Sequence, residues 1–166
     1  EGETITLKNN RIQAVLDLLE ETSGKVVIFA VFQTDIQELE KEIGEKFGEG
    51  AVVSYYGKTP QDKRQVAIDK FQDPDSELRY FVSNPQTGGR GITLTGANTM
   101  IFYSNSYDLE LRVQAEDRIH RIGQEYSCTY IDLVSEGTVD ELILKNLLNK
   151  VKISNEVLGE VRSWFE

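Results

Sequence analysis

The sequence predicts an α/β fold, a mainly parallel central sheet with helices covering both faces. Two observations carry this. Short continuous apolar runs such as KVVIFAVF are bounded by turn residues, which suits strands buried on both faces. Stretches with apolar residues at helical spacing lie between them, and such alternation implies parallel strands joined by crossovers. No internal repeat, low-complexity segment or linker interrupts the 166 residues, so one domain is expected.

The elements follow in order. Ile12, Val15, Leu16 and Leu19 share a helical stripe that ends before Gly24. KVVIFAVF, from Lys25, is the first strand. TDIQELEKEIGEKF is a helix with Ile36, Leu39, Ile43 and Phe47 on one stripe. AVVSYY is a strand. TPQDKRQVAIDKF reads as a helix with Thr59 as N-cap, Pro60 at the first helical position and Asp62 in the first turn. LRYFVS and NTMIFYS are strands, DLELRVQAEDRIHR is a helix and CTYIDLVS a strand. TVDELILKNLLNKVKI is an amphipathic helix capped by Thr138, and a last helix runs through Trp164. Ligands of such sheets bind beyond the carboxyl ends of the strands, where GKT, NPQTGGRG and SNSYD form loops.

Composition narrows the function. A formal net charge of -10 excludes general affinity for nucleic acid, so any phosphate contact rests on a local cationic strip or on a partner domain. No apolar run reaches the roughly 18 residues of a membrane span. Cys128 is the single cysteine and lies in an apolar-alternating stretch, which predicts a buried free thiol and suits a reducing compartment. The chain opens EGETITLKNN without methionine, as an excised piece would.

Several catalytic patterns are missing. There is no G-x-x-x-x-G-K-[ST] segment and no apolar strand ending in Asp-Glu. Asp140 and Glu141 instead open a helix, where acids suit the dipole. One Cys and one His make no zinc site.

Three stretches remain. In TGGRGITLTGAN the glycines either bring backbone N–H groups close to a phosphate or sugar, or simply form a strand-to-strand turn. In YYGKTPQDKR, Lys58 and Thr59 sit at a helix N-terminus, which is either an anion site or a capped surface helix. In QAEDRIHRIGQ, helical spacing puts Gln114, Arg118 and Arg121 on one face. That face is either a solvated charge cluster or an arginine pair aimed at a triphosphate, for which the planar guanidinium fork is suited. His120 reads as a packing residue that fixes the arginines.

KVVIF, YYGKT, TGGRGITLTGA and QAEDRIHRIGQ occur in that order. Together they resemble the second RecA-like lobe of the SNF2 family of superfamily 2 DNA translocases and helicases, over about residues 25–147. DRIHRIGQ is similar to the SNF2 form of motif VI, GGRGITLTGA to motif V and KVVIF to motif IV.

The resemblance implies a RecA-like three-layer fold filling residues 1–166, with a helical tail from about 138. It implies a partner, the N-terminal lobe of the same parent chain, which carries the phosphate loop and binds most of the ATP and Mg2+. Arg121 would be the arginine finger, Arg118 its companion at the phosphates, and Gln114 would orient them or touch the nucleotide. Gly89 and Gly91 would approach the nucleotide, and Thr93 stands where relatives often carry an Asn or Asp near the ribose. Double-stranded DNA would meet Lys58, Thr59, Asn84, Gln86 and Thr87, with Arg64 and Arg90 as further candidates. Pro85 stands where relatives commonly have threonine and has neither hydroxyl nor N–H to offer. No metal ligand is expected in this lobe, and no membrane partner. The setting is intracellular, and compact motif spacing suits a bacterial or viral source. Without the first lobe the fragment is expected to be inactive. The rivals are a strand-separating superfamily 2 helicase and a non-catalytic RecA-like interaction module.

Overall fold

A computed structural model describes residues 10–87 and 91–163, with the side chains of the last helix described up to Asn155. The chain forms α1 (Asn10–Glu21), β1 (Lys25–Phe29), α2 (Gln33–Phe47), a 3-10 turn (Glu49–Ala51) and β2 (Val52–Tyr55). It continues with α3 (Gln61–Gln72), β3 (Tyr80–Ser83), β4 (Ala97–Phe102), α4 (Leu109–Glu116), β5 (Thr129–Asp132) and α5 (Val139–Ser163). The five strands form one sheet in the order β2-β3-β1-β4-β5, and every pairing is parallel. The expected α/β architecture is therefore present.

The central strand shows why the apolar runs are continuous. Val26 and Ile28 enter one core layer, where α1 and α2 contribute Val15, Leu19, Ile36, Leu39 and Ile43. Val27 and Phe29 enter the opposite layer, with Phe71 of α3, Phe81, Leu94, Phe102, Ala115 and Ile119. A strand covered twice has no polar face to alternate with. Each fully buried phenylalanine or leucine contributes about 1.5–3 kcal/mol.

The edge opposite the loops is held by Lys25. Its Nζ donates to Phe71 O and Asp73 O, both at 2.5 Å, so it ties the C-terminal end of α3 to the start of β1. Burial lowers the Lys25 pKa, and Asp73 works against that shift. Tyr80, 0% exposed, is a counterexample to good satisfaction, because its hydroxyl has no hydrogen-bond partner. Tyr80→Phe is therefore expected to leave the melting temperature unchanged or raise it. A loss above about 1 kcal/mol in thermal denaturation would show that the hydroxyl is satisfied.

Several local expectations are corrected. Thr59 does not cap α3. The helix begins at Gln61, Pro60 occupies the cap position with ψ 141°, and no side chain caps it. The Thr59 hydroxyl instead accepts from Tyr56 N (3.0 Å) and donates to Ser54 O (3.3 Å), so it closes the turn leaving β2. The 108–121 helix is also shorter, ending at Glu116. Gln114, Arg118 and Arg121 therefore do not share a helix face. Arg118 N and Ile119 N bond to carbonyls three residues back, and Arg118 O is captured by Leu94 N at 2.8 Å. The last two expected helices are one continuous α5, whose start is held by Thr138 Oγ accepting from Asp140 N. Cys128 is half-buried rather than buried. Trp164 lies outside the described residues.

Candidate functional site

The turn after α4 runs alongside the segment between β3 and β4 and is laced to it. Arg118 Nη2 donates to Pro85 O (2.8 Å) and Thr87 O (3.1 Å), at the loop that leaves β3. Arg121 Nη1 donates to Gly91 O (2.8 Å) and Thr93 Oγ (3.1 Å). Gln124 Nε2 faces Ala97 O (2.7 Å), Ile119 O (3.0 Å) and Thr95 O (3.3 Å). Beside these contacts opens a cavity of about 640 Å³, lined by Gly91, Gln114, Arg118 and Arg121 together with Asp117, His120 and Ile122. The fold thus brings together four expected nucleotide-site residues, although one helix face does not present them.

The two arginines have different environments. Arg118 is only 4% exposed, with its guanidinium 5.1 Å from the Phe29 ring centroid. Burial lowers its pKa to about 10, so it remains charged at neutral pH. Its Nη1 has no hydrogen-bond partner, and an unpaired buried donor costs about 1–3 kcal/mol, more on a charged group. Arg121 is exposed. Two acceptors hold one of its nitrogens, and its guanidinium lines the cavity. Thr93 spends its hydroxyl on Arg121. Gln114 donates to Glu110 Oε1 at 3.0 Å. His120 is exposed on the rim rather than packed. Gly89 and Arg90 lie outside the described residues.

Gly91 adopts φ +83°, and a Cβ there would stand 3.4 Å from both Arg121 Nη1 and Nη2. The positive φ strains any L side chain, whereas a Cβ itself would meet Arg121 at ordinary van der Waals distance. Gly91→Ala is expected to cost about 1–2 kcal/mol through backbone strain, measured by thermal denaturation. An unchanged melting temperature would contradict the strain.

The expected DNA-facing residues lie along the loop edge. Lys58 is exposed in the turn after β2. Arg64 donates to Thr59 O (3.1 Å) and Gly57 O (3.3 Å) and packs 5.7 Å from the Tyr55 ring centroid, so it shapes that turn. Asn84 is committed to its own loop, donating to Val31 O at 2.7 Å while Gln86 N donates to its Oδ1 at 2.8 Å. Gln86 is exposed and Thr87 half-buried.

The sequence reading missed the groups that hold α4 in place. Asp108 caps the helix, its carboxylate accepting from Glu110 N and Leu111 N. Arg112 donates to Glu116 Oε1 (2.6 Å), to both Asp132 oxygens (2.5 and 3.1 Å) and to Asn105 Oδ1 (3.0 Å). Its guanidinium lies 3.5 Å from the Phe102 ring centroid. Burial opposes the charged form, yet the bonds to Asp132 and Glu116 outweigh it and raise the Arg112 pKa. The i, i+4 spacing of Arg112 and Glu116 was the one visible signal. Gln124, the end of the HRIGQ string, was missed as a structural residue.

A parallel RecA-like sheet with an arginine turn set against a glycine-containing strand connection defines a helicase-type second lobe. The chain belongs to the helicase conserved C-terminal domain family, whose pattern matches residues 8–123. It is 30% identical over 153 residues to Helicase SWR1 of Saccharomyces cerevisiae (strain ATCC 204508 / S288c), covering 92% of this chain and 10% of that protein. It is 34% identical over 106 residues to the mouse (Mus musculus) SWI/SNF-related matrix-associated actin-dependent regulator of chromatin subfamily A member 1, covering 64% of this chain and 10% of that protein. The chain thus spans about a tenth of the length of these curated relatives. Its fold matches the crystal structure of the C-terminal part of the Fun30 ATPase domain with a TM-score of 0.74 and 28% identity, over 85% of this chain and 48% of that one. These relatives place it among the SNF2-type lobes.

Proposed function

We propose that this chain is the second ATPase lobe of an SNF2-type, DNA-dependent ATPase that moves along duplex DNA, and that residues 1–166 act as one such lobe. The carrying observation is Arg121, exposed on the cavity with its guanidinium braced by Gly91 O and Thr93 Oγ. A finger works by meeting charge that develops in the transition state, and bracing lowers the cost of orienting it. ATP with Mg2+ sits mainly on the N-terminal lobe of the same parent chain, where the metal neutralises phosphate charge. Among the described residues no group of three His, Cys, Asp or Glu side chains is placed to hold a metal.

Closure of the two lobes brings Arg121 to the terminal phosphate, with Arg118 behind it and Gln114 beside it. Gly89 and Gly91 allow close approach of the backbone, and Thr93 keeps Arg121 in line. DNA lies across Lys58, the Thr59 turn and the loop Asn84, Gln86, Thr87, and its backbone is gripped without sequence reading. Alone, the lobe has no phosphate loop and hydrolyses no ATP. No helix among the described residues is long and apolar enough to cross a membrane. The working place is intracellular, with ATP and DNA.

Lys58→Ala in the two-lobe protein tests the DNA face. Affinity for duplexes of different sequence is expected to fall by the same factor, and the salt slope of binding to drop by about 1. A change confined to one sequence, or no change in slope, would remove Lys58 from the track.

A further inference from the structure

Arg121 opens a tight turn. Its carbonyl accepts from Gln124 N at 3.0 Å, and Gly123 takes φ +100° between them. The near side of this turn is anchored, because Ile119 is 0% exposed in the core and Leu94 N holds Arg118 O at 2.8 Å. The far side has no such plug, since Ile122 and Tyr126 are exposed. Gln124 supplies the tie there. The amide protons on its Nε2 are shared among Ala97 O (2.7 Å), Ile119 O (3.0 Å) and Thr95 O (3.3 Å), and its Oε1 accepts from Tyr126 N (3.2 Å). The receiving stretch is itself fixed by Gln72 of α3. Gln72 Nε2 donates to Thr95 Oγ (3.0 Å), and its Oε1 accepts from Gly96 N (2.7 Å). Arg121 reaches the same connection further upstream, at Gly91 O and Thr93 Oγ.

We infer that Gln124 is a positioning residue for Arg121: it pins the turn, so that the Arg121 backbone holds its place while the guanidinium meets phosphate. This rests on the finger assignment above. The guanidinium cannot fix its own backbone during the reaction, because a charged phosphate oxygen competes with Gly91 O and Thr93 Oγ for its donors. A side chain that changes acceptors needs a fixed base behind it, and a misplacement of about 1 Å costs about 10²-fold in rate. Gln124 does not line the cavity of Gln114, Arg118 and Arg121. It faces the neighbouring hollow with Tyr126, Cys128 and Tyr130, on the other side of Arg121. Its effect on turnover therefore passes through Arg121 and not through the nucleotide.

The test is a double-mutant cycle in the full-length two-lobe protein. It is read as kcat and KM for ATP with saturating duplex DNA, below the melting temperature of every variant. Gln124→Met keeps the length of the side chain and removes its donors. It is expected to lower kcat by about tenfold or more and to leave KM for ATP within about twofold of wild type. In an Arg121→Ala background the same substitution is expected to change kcat by no more than about twofold, because no finger is left to misplace. A merely structural glutamine would lower the melting temperature and leave kcat of the folded protein intact. A glutamine that acts on the nucleotide itself would raise KM, or lower kcat by the same factor with and without Arg121. Each of these results overturns the positioning role. If Gln124→Met does not fold, Gln124→Asn takes its place in the same cycle, because its amide falls one carbon short of the carbonyls. The same outcomes then decide. The finger assignment fails separately, if Arg121→Ala alone leaves turnover intact.

Discussion

Arg121→Ala in the two-lobe protein is expected to lower DNA-stimulated ATP hydrolysis by about 10³-fold or more, while the lobe keeps its melting temperature. The two halves of this expectation come from the same geometry. Arg121 is exposed and its bonds go to Gly91 O and Thr93 Oγ at the surface, so its loss opens no core cavity. Exposed polar substitutions of this kind stay within about 0.5 kcal/mol. The rate effect is large because the charge is needed only in the transition state, and the other arginine among the described cavity residues, Arg118, is bonded to Pro85 O and Thr87 O. Arg118 is buried behind the loop, and His120 is beside it on the rim. Arg121→Lys should recover little, because an ammonium cannot brace on two acceptors and still present a fork. Steady-state hydrolysis with saturating duplex, beside a thermal melt, reads both halves. Activity within about tenfold of wild type would deny Arg121 the finger role.

Asp132→Ala is expected to produce the largest loss of stability, about 3 kcal/mol, or a melting temperature lower by about 10 °C. Arg112 and Asp132 are 14% and 20% exposed at the side chain, and their pairing holds α4 against the end of β5. Removing the carboxylate leaves the Arg112 guanidinium with Glu116 and Asn105 alone, pressed on the Phe102 ring. The exposed pair Lys41–Glu45 is the control. Its partners are 68% and 63% exposed at 3.9 Å, and Lys41→Ala should change stability by no more than about 0.5 kcal/mol. Because α4 leads directly into the arginine turn, Asp132→Ala should also lower the turnover of whatever protein remains folded. Equal melting temperatures for the two variants would show that the Arg112 network is not a structural tie.

The strands were legible because a parallel sheet covered on both faces demands unbroken apolar runs, and KVVIF, YFVS and MIF are such runs. The helices were legible from their stripes, but not their ends. The pattern of DLELRVQAEDRIHR continues past Glu116, while the chain stops the helix there because Leu94 N, 24 residues upstream of Arg118, takes Arg118 O. A tertiary acceptor of that kind leaves no local trace. Thr59 misled for the opposite reason. Thr-Pro before an amphipathic stretch is a sound capping signal, but the turn after β2 needed the hydroxyl first. At the site, the string of motifs singled out Gln114, Arg118, Gly91 and Arg121, and the fold gathers them around one cavity. The supports of that cavity were not visible. Arg112 meets Asp132 across 20 residues, and Gln124 meets Thr95 and Ala97 across nearly 30. Neither pair follows from helical or strand spacing.

The most direct measurement is ATP hydrolysis with and without duplex DNA, by this lobe alone and by the chain that joins it to a phosphate-loop lobe. The lobe alone is expected to be silent, and the joined lobes to show turnover that rises on adding duplex DNA. Hydrolysis by the lobe alone, or joined lobes that ignore DNA, would contradict this.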